Sequence, residues 1–336
     1  MSKNHWSIMW KIYKKIFFLC MIFLINLHSS PDNKKAVITS CFGAGFFAEF
    51  RRILHGIMDI TLNGTEGKEV QVDWSADFFP YRNNTGNGWD LFFDPVGYVE
   101  NKRNISTVHL MHDQTCLNKW LLYDDFYCYR LRINQIINKY IKINKNILDE
   151  VDAYYAAYMK NVIRIGVHVR FSAAHGCEKP GALKLKDYFD EIDVLRKKIH
   201  KIGKKYVIYL ATDSNYVIQE FKKRYKHVLY GDAIRSMYME EVHLIADKPE
   251  YWLTHVEEFH EKKPGYKGGK DVLVDCLLLA CCDYLIHTTS NVADFATFFN
   301  PQLQSILVPK TIAPHKKMGC AACDVPEKWY LYHDFN

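Results

Sequence analysis

The pattern of apolar and polar positions predicts alternating strands and helices after residue 160. Strands are predicted at 162–169, 205–211, 226–230, 284–287 and 304–308, and helices at 187–200, 214–225, 271–282 and 292–299. The first of these runs is apolar and β-branched apart from Arg164, Gly166 and His168, which is typical of a buried parallel strand. The alternation therefore predicts an α/β fold with a parallel sheet.

The region before residue 160 begins with a similar unit. Strands at 35–41 and 69–74 flank a helix at 47–58, with a glycine turn at 43–45. Gly43 and Gly45 lack the third glycine of a dinucleotide fingerprint, so the turn favours close backbone packing over NAD binding. Residues 76–115 predict long loops of the kind that form acceptor surfaces, and 138–160 predicts one long polar helix.

The amino terminus carries the features of a secretory signal. Lys11, Lys14 and Lys15 precede an apolar run at 16–25, shorter than the ~20 residues that comfortably span a bilayer. The residues that follow at 27–30 make a poor cleavage site, which favours an uncleaved type II anchor over a cleaved signal peptide. We therefore expect a single-pass protein of a secretory membrane, with the chain after the anchor in the lumen.

Potential glycosylation sites agree with this compartment. Asn63, Asn83 and Asn104 each begin an Asn-X-Ser/Thr sequon, which is used only in a secretory lumen. Such sequons also arise by chance in a chain rich in asparagine. They support the predicted compartment without establishing it.

The placement of the ten cysteines indicates different roles for them, and Cys20 lies in the apolar amino-terminal run. Cys276, Cys281 and Cys282 lie in an apolar helix and at its end, which predicts buried thiols. The candidates for local disulfides are Cys116 with Cys128 and Cys320 with Cys323. The last pair also has the spacing of half a zinc site, but no second pair completes it, so no metal is predicted.

Length and charge narrow the class of protein. A chain of 336 residues exceeds one ordinary core and suggests two domains, and 49% hydrophobic residues argue against disorder. The net charge of +6 is spread over lysine-rich helices, so nucleic acid is not favoured as a partner. A mildly basic surface attracts anionic small molecules.

Candidate binding residues follow the predicted strands. His168 and Arg170 lie where the strand at 162–169 ends, and Asp213 follows the next strand. Ligands of open α/β sheets bind outside the carboxyl ends of the strands, and the planar donor fork of arginine suits a diphosphate. A structural ion pair of Arg170 is an equally good interpretation, and Asp213 could instead be a helix N-cap.

A polar turn precedes the helix predicted at 292–299. Ser290 and Asn291 cap this helix, where free backbone N–H groups and the positive end of the helix dipole favour an anion. A Ser-Asn cap without a ligand is common. The turn therefore indicates an anion site only in combination with the polar residues at the two strand ends.

Three motifs together resemble the fucosyltransferase superfamily that includes the α-1,6-fucosyltransferases, the rhizobial nodulation fucosyltransferases and, more distantly, the protein O-fucosyltransferases. The motifs are G-V-H-V-R at 166–170, A-T-D at 211–213 and D-x-x-L-L-x-x-x-D-Y-L-I-x-T-x-S-N at 275–291. The resemblance covers roughly residues 160–300, the donor-binding half of such enzymes. One departure is Phe171, which stands where the α-1,6 enzymes have a second arginine, and this puts the regiochemistry in doubt.

The resemblance implies a glycosyltransferase B architecture, with two Rossmann-like domains that face a cleft. Residues 1–30 would be the tail and anchor, 31–160 the acceptor-side domain and 161–336 the nucleotide-sugar domain. The donor would be GDP-fucose, with no further cofactor, and the acceptor a glycan or glycoprotein. Arg170 would hold the diphosphate, Asp275 would bind the guanine, and Ser290 with Asn291 would bind phosphate. His168 would be a further substrate-binding residue.

The resemblance and the residues together suggest how the reaction proceeds. No Asp-x-Asp occurs in the chain, which indicates metal-independent transfer, because enzymes that hold a diphosphate through a metal usually present paired carboxylates. The acceptor hydroxyl would attack the anomeric carbon from the face opposite the diphosphate, with inversion. Glu178 lies eight residues after Arg170, the offset of the proposed catalytic glutamate in the α-1,6 enzymes. His175 in the same loop is the competing base, and a solvated loop role is open for both.

Two other functions stay open. A transferase for a different nucleotide sugar would use the same diphosphate contacts, because these contacts do not identify the sugar. A secreted or anchored glycan-binding protein could keep the fold without catalysis. Stabilisation by GDP, UDP or ADP would separate the three hypotheses.

Overall fold

The computed structural model describes residues 28–29, 35–39, 45–62, 67–75, 81, 86–100, 127–170, 185–233, 235, 265–288 and 290–308. The strands are β1 His28–Ser29, β2 Lys35–Thr39, β3 Lys68–Asp73, β4 Gly97–Val99, β5 Ile163–Val169, β6 Tyr206–Thr212, β7 Val228–Leu229, β8 Tyr284–His287 and β9 Gln304–Leu307. The helices are α1 Phe46–Leu62, α2 Tyr127–Tyr140, α3 Lys145–Tyr154, α4 Leu185–Lys201, α5 Asn215–Arg224, α6 Gly265–Ala280 and α7 Asn291–Phe299, with a 3₁₀ helix at Gly88–Leu91 and a π-helical turn at Tyr155–Met159.

The carboxyl-terminal sheet is parallel, with the strand order β7-β6-β5-β8-β9. Ile165, Val167 and Val169 are fully buried in β5, as a strand covered on both faces requires. Their neighbours on β6, Ile208 and Leu210, are equally buried. The predicted α/β fold with a parallel sheet is therefore confirmed.

The amino-terminal sheet has the order β1-β2-β3-β4 and mixes parallel and antiparallel pairs. β2 and β3 pair in parallel on either side of α1, which confirms the predicted βαβ unit. At the two edges of the sheet, β1 pairs antiparallel with β2 and β4 pairs antiparallel with β3. The short strand β4 lies within the region predicted as loops.

Helices α1, α2 and α7 join the two halves of the chain. Arg51 of α1 donates to Asp294 of α7 at 2.7 Å, and both side chains are nearly buried. The Asn134 amide of α2 donates to the carbonyl of Phe298 at 2.7 Å. One hydrophobic cluster runs from the amino-terminal sheet into α6 and α7. The predicted domain boundary at residue 160 stays a prediction.

The prediction of one long helix at 138–160 is wrong. The structure has α2, a break at 141–144, α3 and the π-helical turn instead. Contacts of the break explain it, since the Asn144 amide side chain donates to the Asp90 carbonyl at 3.0 Å and Ile143 bridges to Phe93. Tertiary contacts therefore replace the helical hydrogen bonds that local propensity favours at these positions.

Several sequence predictions fall wholly or partly outside the described side chains. The apolar run at 16–25 and the three sequons lie outside the described residues, as do Cys116, Cys320 and Cys323, so the anchor and both disulfides stay predictions. Among the described residues, no helix is long and apolar enough to cross a membrane. Cys276 and Cys282 are buried free thiols and Cys281 is partly buried, in agreement with the sequence.

Candidate functional site

The carboxyl edge of the parallel sheet has a topological switch point between β5 and β8. Strands β6 and β7 follow β5 on one side, whereas β8 and β9 extend the sheet on the other. Ligands of open α/β sheets bind in the crevice at such a point, outside the carboxyl ends of the strands. His168 pairs with His287 in register across this point, and Arg170 and Ser290 follow the two strands.

His168 is a neutral imidazole at the end of β5. Burial lowers its pKa to about 3, and the neighbouring side chains of Arg170 and His287 act in the same direction. Its Nδ1 atom is buried and has no hydrogen-bond partner among the described residues. An unsatisfied buried nitrogen is costly, so this atom is available to hydrogen-bond a ligand that enters the crevice.

Arg170 is half-buried directly after β5. Within the described part of the chain, no carboxylate pairs with it, so the structure offers no described partner for the alternative of a structural ion pair. Burial raises the pKa of Tyr81, and Arg170 is one of the groups that oppose this increase. Arg170 therefore lies within electrostatic reach of both His168 and the amino-terminal half.

The turn after β8 is fixed by hydrogen bonds on both sides of His287. The Nδ1 atom of His287 lies 2.7 Å from the Thr288 carbonyl, and its Nε2 atom lies 2.6 Å from the Ser305 hydroxyl. Because a carbonyl can only accept, Nδ1 carries the proton and Nε2 accepts from Ser305. Thr288 contributes a buried hydroxyl that has no partner among the described residues.

Ser290 caps α7, as the sequence predicts. Its backbone is extended, and its hydroxyl accepts a hydrogen bond from the Val292 N–H at 3.2 Å. Asn291 begins the helix and is half-buried. The first turn of α7 thus presents backbone N–H groups and the positive end of a nine-residue helix at the switch point.

Asp213 follows β6 and is half-buried. The alternative interpretation of Asp213 as a helix N-cap is wrong, because Ser214 is the N-cap and its hydroxyl accepts from the Val217 N–H at 3.4 Å. The role of Asp213 in substrate binding stays a prediction.

Asp275 lies on α6, buried against β6 and the segment after β7. The Tyr209 hydroxyl donates to its Oδ1 atom at 2.6 Å. Burial raises the pKa of Asp275 to about 6, against the opposing effects of Tyr209 and Arg235. Asp275 therefore lies next to β6 and the residues after β7, whereas Arg170 follows β5, the neighbour of β6 in the sheet.

Glu178 and His175 lie outside the described residues, so the structure does not test either as a base. In the described part of the chain, no group of His, Cys, Asp and Glu side chains could hold a metal ion. Sequence reasoning missed three residues around the site, Tyr209, Gly231 and His287, and it placed Thr288 in the polar turn without a role of its own. Tyr209 had a detectable signal, since it is a tyrosine between the buried aliphatic residues Ile208 and Leu210.

These features define an α/β protein with buried polar groups and a capped helix start at the switch point of its parallel sheet. The family model for nodulation protein Z (NodZ) matches residues 123–312, which is more than half of the chain. The chain belongs to the nodulation protein Z family. The resemblance to the fucosyltransferase superfamily, and with it to an enzyme class, is confirmed.

Solved structures similar to this one include several fucosyltransferases. The NodZ α-1,6-fucosyltransferase co-crystallized with GDP is 17% identical, with a TM-score of 0.47 over 80% of this chain and 93% of that one. The fucosyltransferase NodZ from Bradyrhizobium is 17% identical, with a TM-score of 0.43 over 80% and 94%. POFUT1 in complex with GDP is 13% identical, with a TM-score of 0.30 over 52% and 49%. No curated protein matches the chain significantly.

Proposed function

We propose that this protein is an inverting, metal-independent glycosyltransferase that transfers fucose from GDP-fucose to a glycan or glycoprotein acceptor. The observation that carries the proposal is the switch point, where Arg170, the Nδ1 atom of His168 and the capped start of α7 lie together. Among the described residues, Arg170 has no ion-pair partner and Nδ1 of His168 has no hydrogen-bond partner. Membership of the NodZ family supports the choice of fucose.

The chemistry assigns each group a role. Arg170 and the N–H groups at the start of α7 stabilise the negative charge that develops on the departing diphosphate. The neutral imidazole of His168 hydrogen-bonds the donor. A base, Glu178 or His175, removes the proton of the acceptor hydroxyl as its oxygen attacks the anomeric carbon from the face opposite the diphosphate. The glycosidic bond to GDP breaks as the new one forms, which inverts the configuration.

The proposal also covers the location of the protein in the cell. We propose a type II anchor at 16–25, a lumenal catalytic part in the Golgi and an acceptor that enters a cleft between the two halves. The Lys-rich tail before the anchor and the sequons motivate the compartment. Western analysis of the full chain with and without glycosidase treatment tests it, and an unglycosylated cytosolic product would refute it.

Thermal melting with nucleotides tests the donor. A ligand at 100 times its dissociation constant stabilises the folded state by about 2.7 kcal/mol. We expect GDP to raise the melting temperature, with UDP and ADP having little effect at equal concentration. Stabilisation by UDP or ADP instead would indicate another nucleotide sugar, and no response to any nucleotide would indicate a glycan-binding protein.

Chelation tests the metal independence. We expect the transfer of fucose to persist in excess EDTA, because the absence of Asp-x-Asp leaves Arg170 and backbone amides to bind the diphosphate. Complete loss of transfer that added Mg²⁺ restores would refute the proposed mechanism.

A further inference from the structure

The carboxylate of Asp275 is oriented by a single tyrosine. Tyr209 of β6 is fully buried, and its hydroxyl donates to Oδ1 of Asp275 at 2.6 Å. Tyr154 of α3 meets the Tyr209 ring edge-on at 5.7 Å and donates its own hydroxyl to the Tyr230 carbonyl at 3.1 Å. Because the ring of Tyr209 cannot move without disturbing these neighbours, the plane of the carboxylate is fixed from one side.

The other side of the carboxylate is open to hydrogen bonds. No described residue donates to Oδ2 of Asp275, although the side chain is only 7% exposed. Gly231 lies beside it just after β7, and a Cβ atom at this position would stand 2.9 Å from Oδ1 and 3.4 Å from the Tyr209 hydroxyl. The absence of a side chain at Gly231 therefore keeps the carboxylate and its tyrosine partner in this arrangement.

A guanine edge needs such a carboxylate. Guanine presents two neighbouring donors, a ring N–H and an exocyclic amine, and a carboxylate that accepts from both must hold its two oxygens in the plane of the base. An aspartate that rotates freely would lose conformational entropy on binding. We propose that Tyr209 is a positioning residue for donor recognition, which fixes the Asp275 carboxylate so that it accepts hydrogen bonds from the guanine of the donor. This inference rests on the proposed use of GDP-fucose.

Tyr209 also favours the ionised form of Asp275. Burial raises the pKa of Asp275 to about 6, the Tyr209 hydrogen bond and Arg235 lower it, and Asp271 raises it. Tyr154 on α3 and Cys276 on α6 are the other titratable groups that sense this carboxylate. Without the Tyr209 hydroxyl the pKa of Asp275 rises further, so the carboxyl is protonated at higher pH and presents a donor to the guanine donors.

The protonation of Asp275 determines how GDP affinity changes with pH. GDP binding that needs ionised Asp275 weakens as the pH falls through the pKa of this group, and Tyr209→Phe moves that loss upward in pH. The diphosphate also titrates, but it does so equally for both proteins. The ratio of variant to wild-type affinity at each pH therefore isolates the effect of Tyr209.

Calorimetry of GDP binding from about pH 5.5 to 8.5 tests the proposal. We expect Tyr209→Phe to bind GDP about tenfold more weakly than wild type at pH 7, with the difference narrowing to about threefold at the upper end. We also expect it to lose preference for GDP over inosine diphosphate, which lacks the exocyclic amine. Tyr225→Phe is the matched control, since Tyr225 is a buried residue whose hydroxyl donates to the Phe189 carbonyl at 3.3 Å, between the end of α5 and α4. It should leave both readouts unchanged.

Two further variants keep the test decisive. If Tyr209→Phe does not fold, Gly231→Ala displaces the same carboxylate sterically and should reduce the preference for GDP over inosine diphosphate. Wild-type affinity and preference in the folded variants would overturn the positioning role. If Asp275→Asn weakens GDP binding and Tyr209→Phe does not, only this inference fails, whereas a wild-type protein that ignores GDP overturns the proposed function as well.

Discussion

Aromatic rings fill the core of the amino-terminal sheet, whereas the carboxyl-terminal sheet combines aliphatic strands with buried polar groups. Phe46, Phe50, Trp74, Trp89 and Phe93 contact one another with ring centroids 4.3–6.2 Å apart. At the carboxyl-terminal sheet, the buried polar residues include His168, Thr212, Ser214, Asp275, His287, Thr288 and Ser290. Several of these leave an atom without a described hydrogen-bond partner.

This difference separates stability from binding. Aromatic contacts stabilise a fold but recognise no polar ligand, while a buried polar atom without a hydrogen bond costs free energy until a ligand satisfies it. The two halves meet where Phe50 of α1 stacks on Phe295 of α7 at 4.9 Å. The amino-terminal core therefore supports the helix whose first turn is proposed to bind the diphosphate. Variants in each half should affect different measurements.

The largest effect should come from the base. Glu178→Gln should lower kcat by about 10²–10⁴-fold with little change in GDP affinity, because the general base acts only on the acceptor proton. Steady-state transfer assays and calorimetry measure the two quantities. His175→Ala is the paired variant, and a nearly silent Glu178→Gln beside an inactive His175→Ala would assign the base to His175.

The next largest effect concerns the aromatic core. Phe50→Ala should reduce the free energy of unfolding by about 3–5 kcal/mol, because it removes a fully buried ring that packs on several others. Urea titration measures the loss, and calorimetry at a temperature where the variant stays folded measures GDP affinity. We expect that affinity to stay within about threefold of wild type. A larger loss would mean that the core positions α7 as well as stabilising it.

The sequence predicts the carboxyl-terminal sheet closely because its signals are local. Strand β8 has the predicted bounds, β5 and β9 differ by one residue at one end, and β6 differs by one residue at each end. Buried parallel strands require continuous apolar runs, and such runs are visible in the sequence. Arg164 is the charged residue that interrupts the apolar pattern of β5. At the start of the strand its side chain donates two hydrogen bonds to Asp283, at 2.9 and 2.6 Å, and one to the Tyr155 hydroxyl.

Long-range contacts decide the elements that the sequence predicts poorly. Helix α6 begins at Gly265, six residues before its predicted start, and contains Gly268 and Gly269, which local propensity disfavours. At Gly269 a Cβ atom would lie 2.5 Å from the ring of Phe92, so the glycine permits the helix to pack against the amino-terminal half. The pairing of Tyr209 with Asp275 has the same origin, since 66 residues separate the two along the chain.

Two arginines at opposite ends of β5 allow effects on stability and on donor binding to be compared within one strand. Arg170→Lys should lower transfer at least about tenfold, because a compact ammonium cannot make the paired hydrogen bonds that a diphosphate accepts from guanidinium. Arg164→Lys is the matched control, because Arg164 contacts Asp283 and not the proposed site. We expect Arg164→Lys to lower stability with unchanged GDP affinity and Arg170→Lys to do the reverse. Equal transfer by Arg170→Lys and wild type would remove Arg170 from the site.

The smallest effect compares two helix caps of the same sheet. Ser290 caps α7 and Ser214 caps α5, each through a hydroxyl that accepts from a backbone N–H of the first turn. Replacement of either serine by alanine should cost about 1 kcal/mol of stability, the usual contribution of such a cap. Only Ser290→Ala should also weaken GDP binding, by about threefold to tenfold, because only α7 begins at the switch point between β5 and β8. Urea titration and calorimetry of both variants measure these losses. If the two variants lose GDP affinity equally, or neither does, the start of α7 is an ordinary helix end and the diphosphate binds elsewhere.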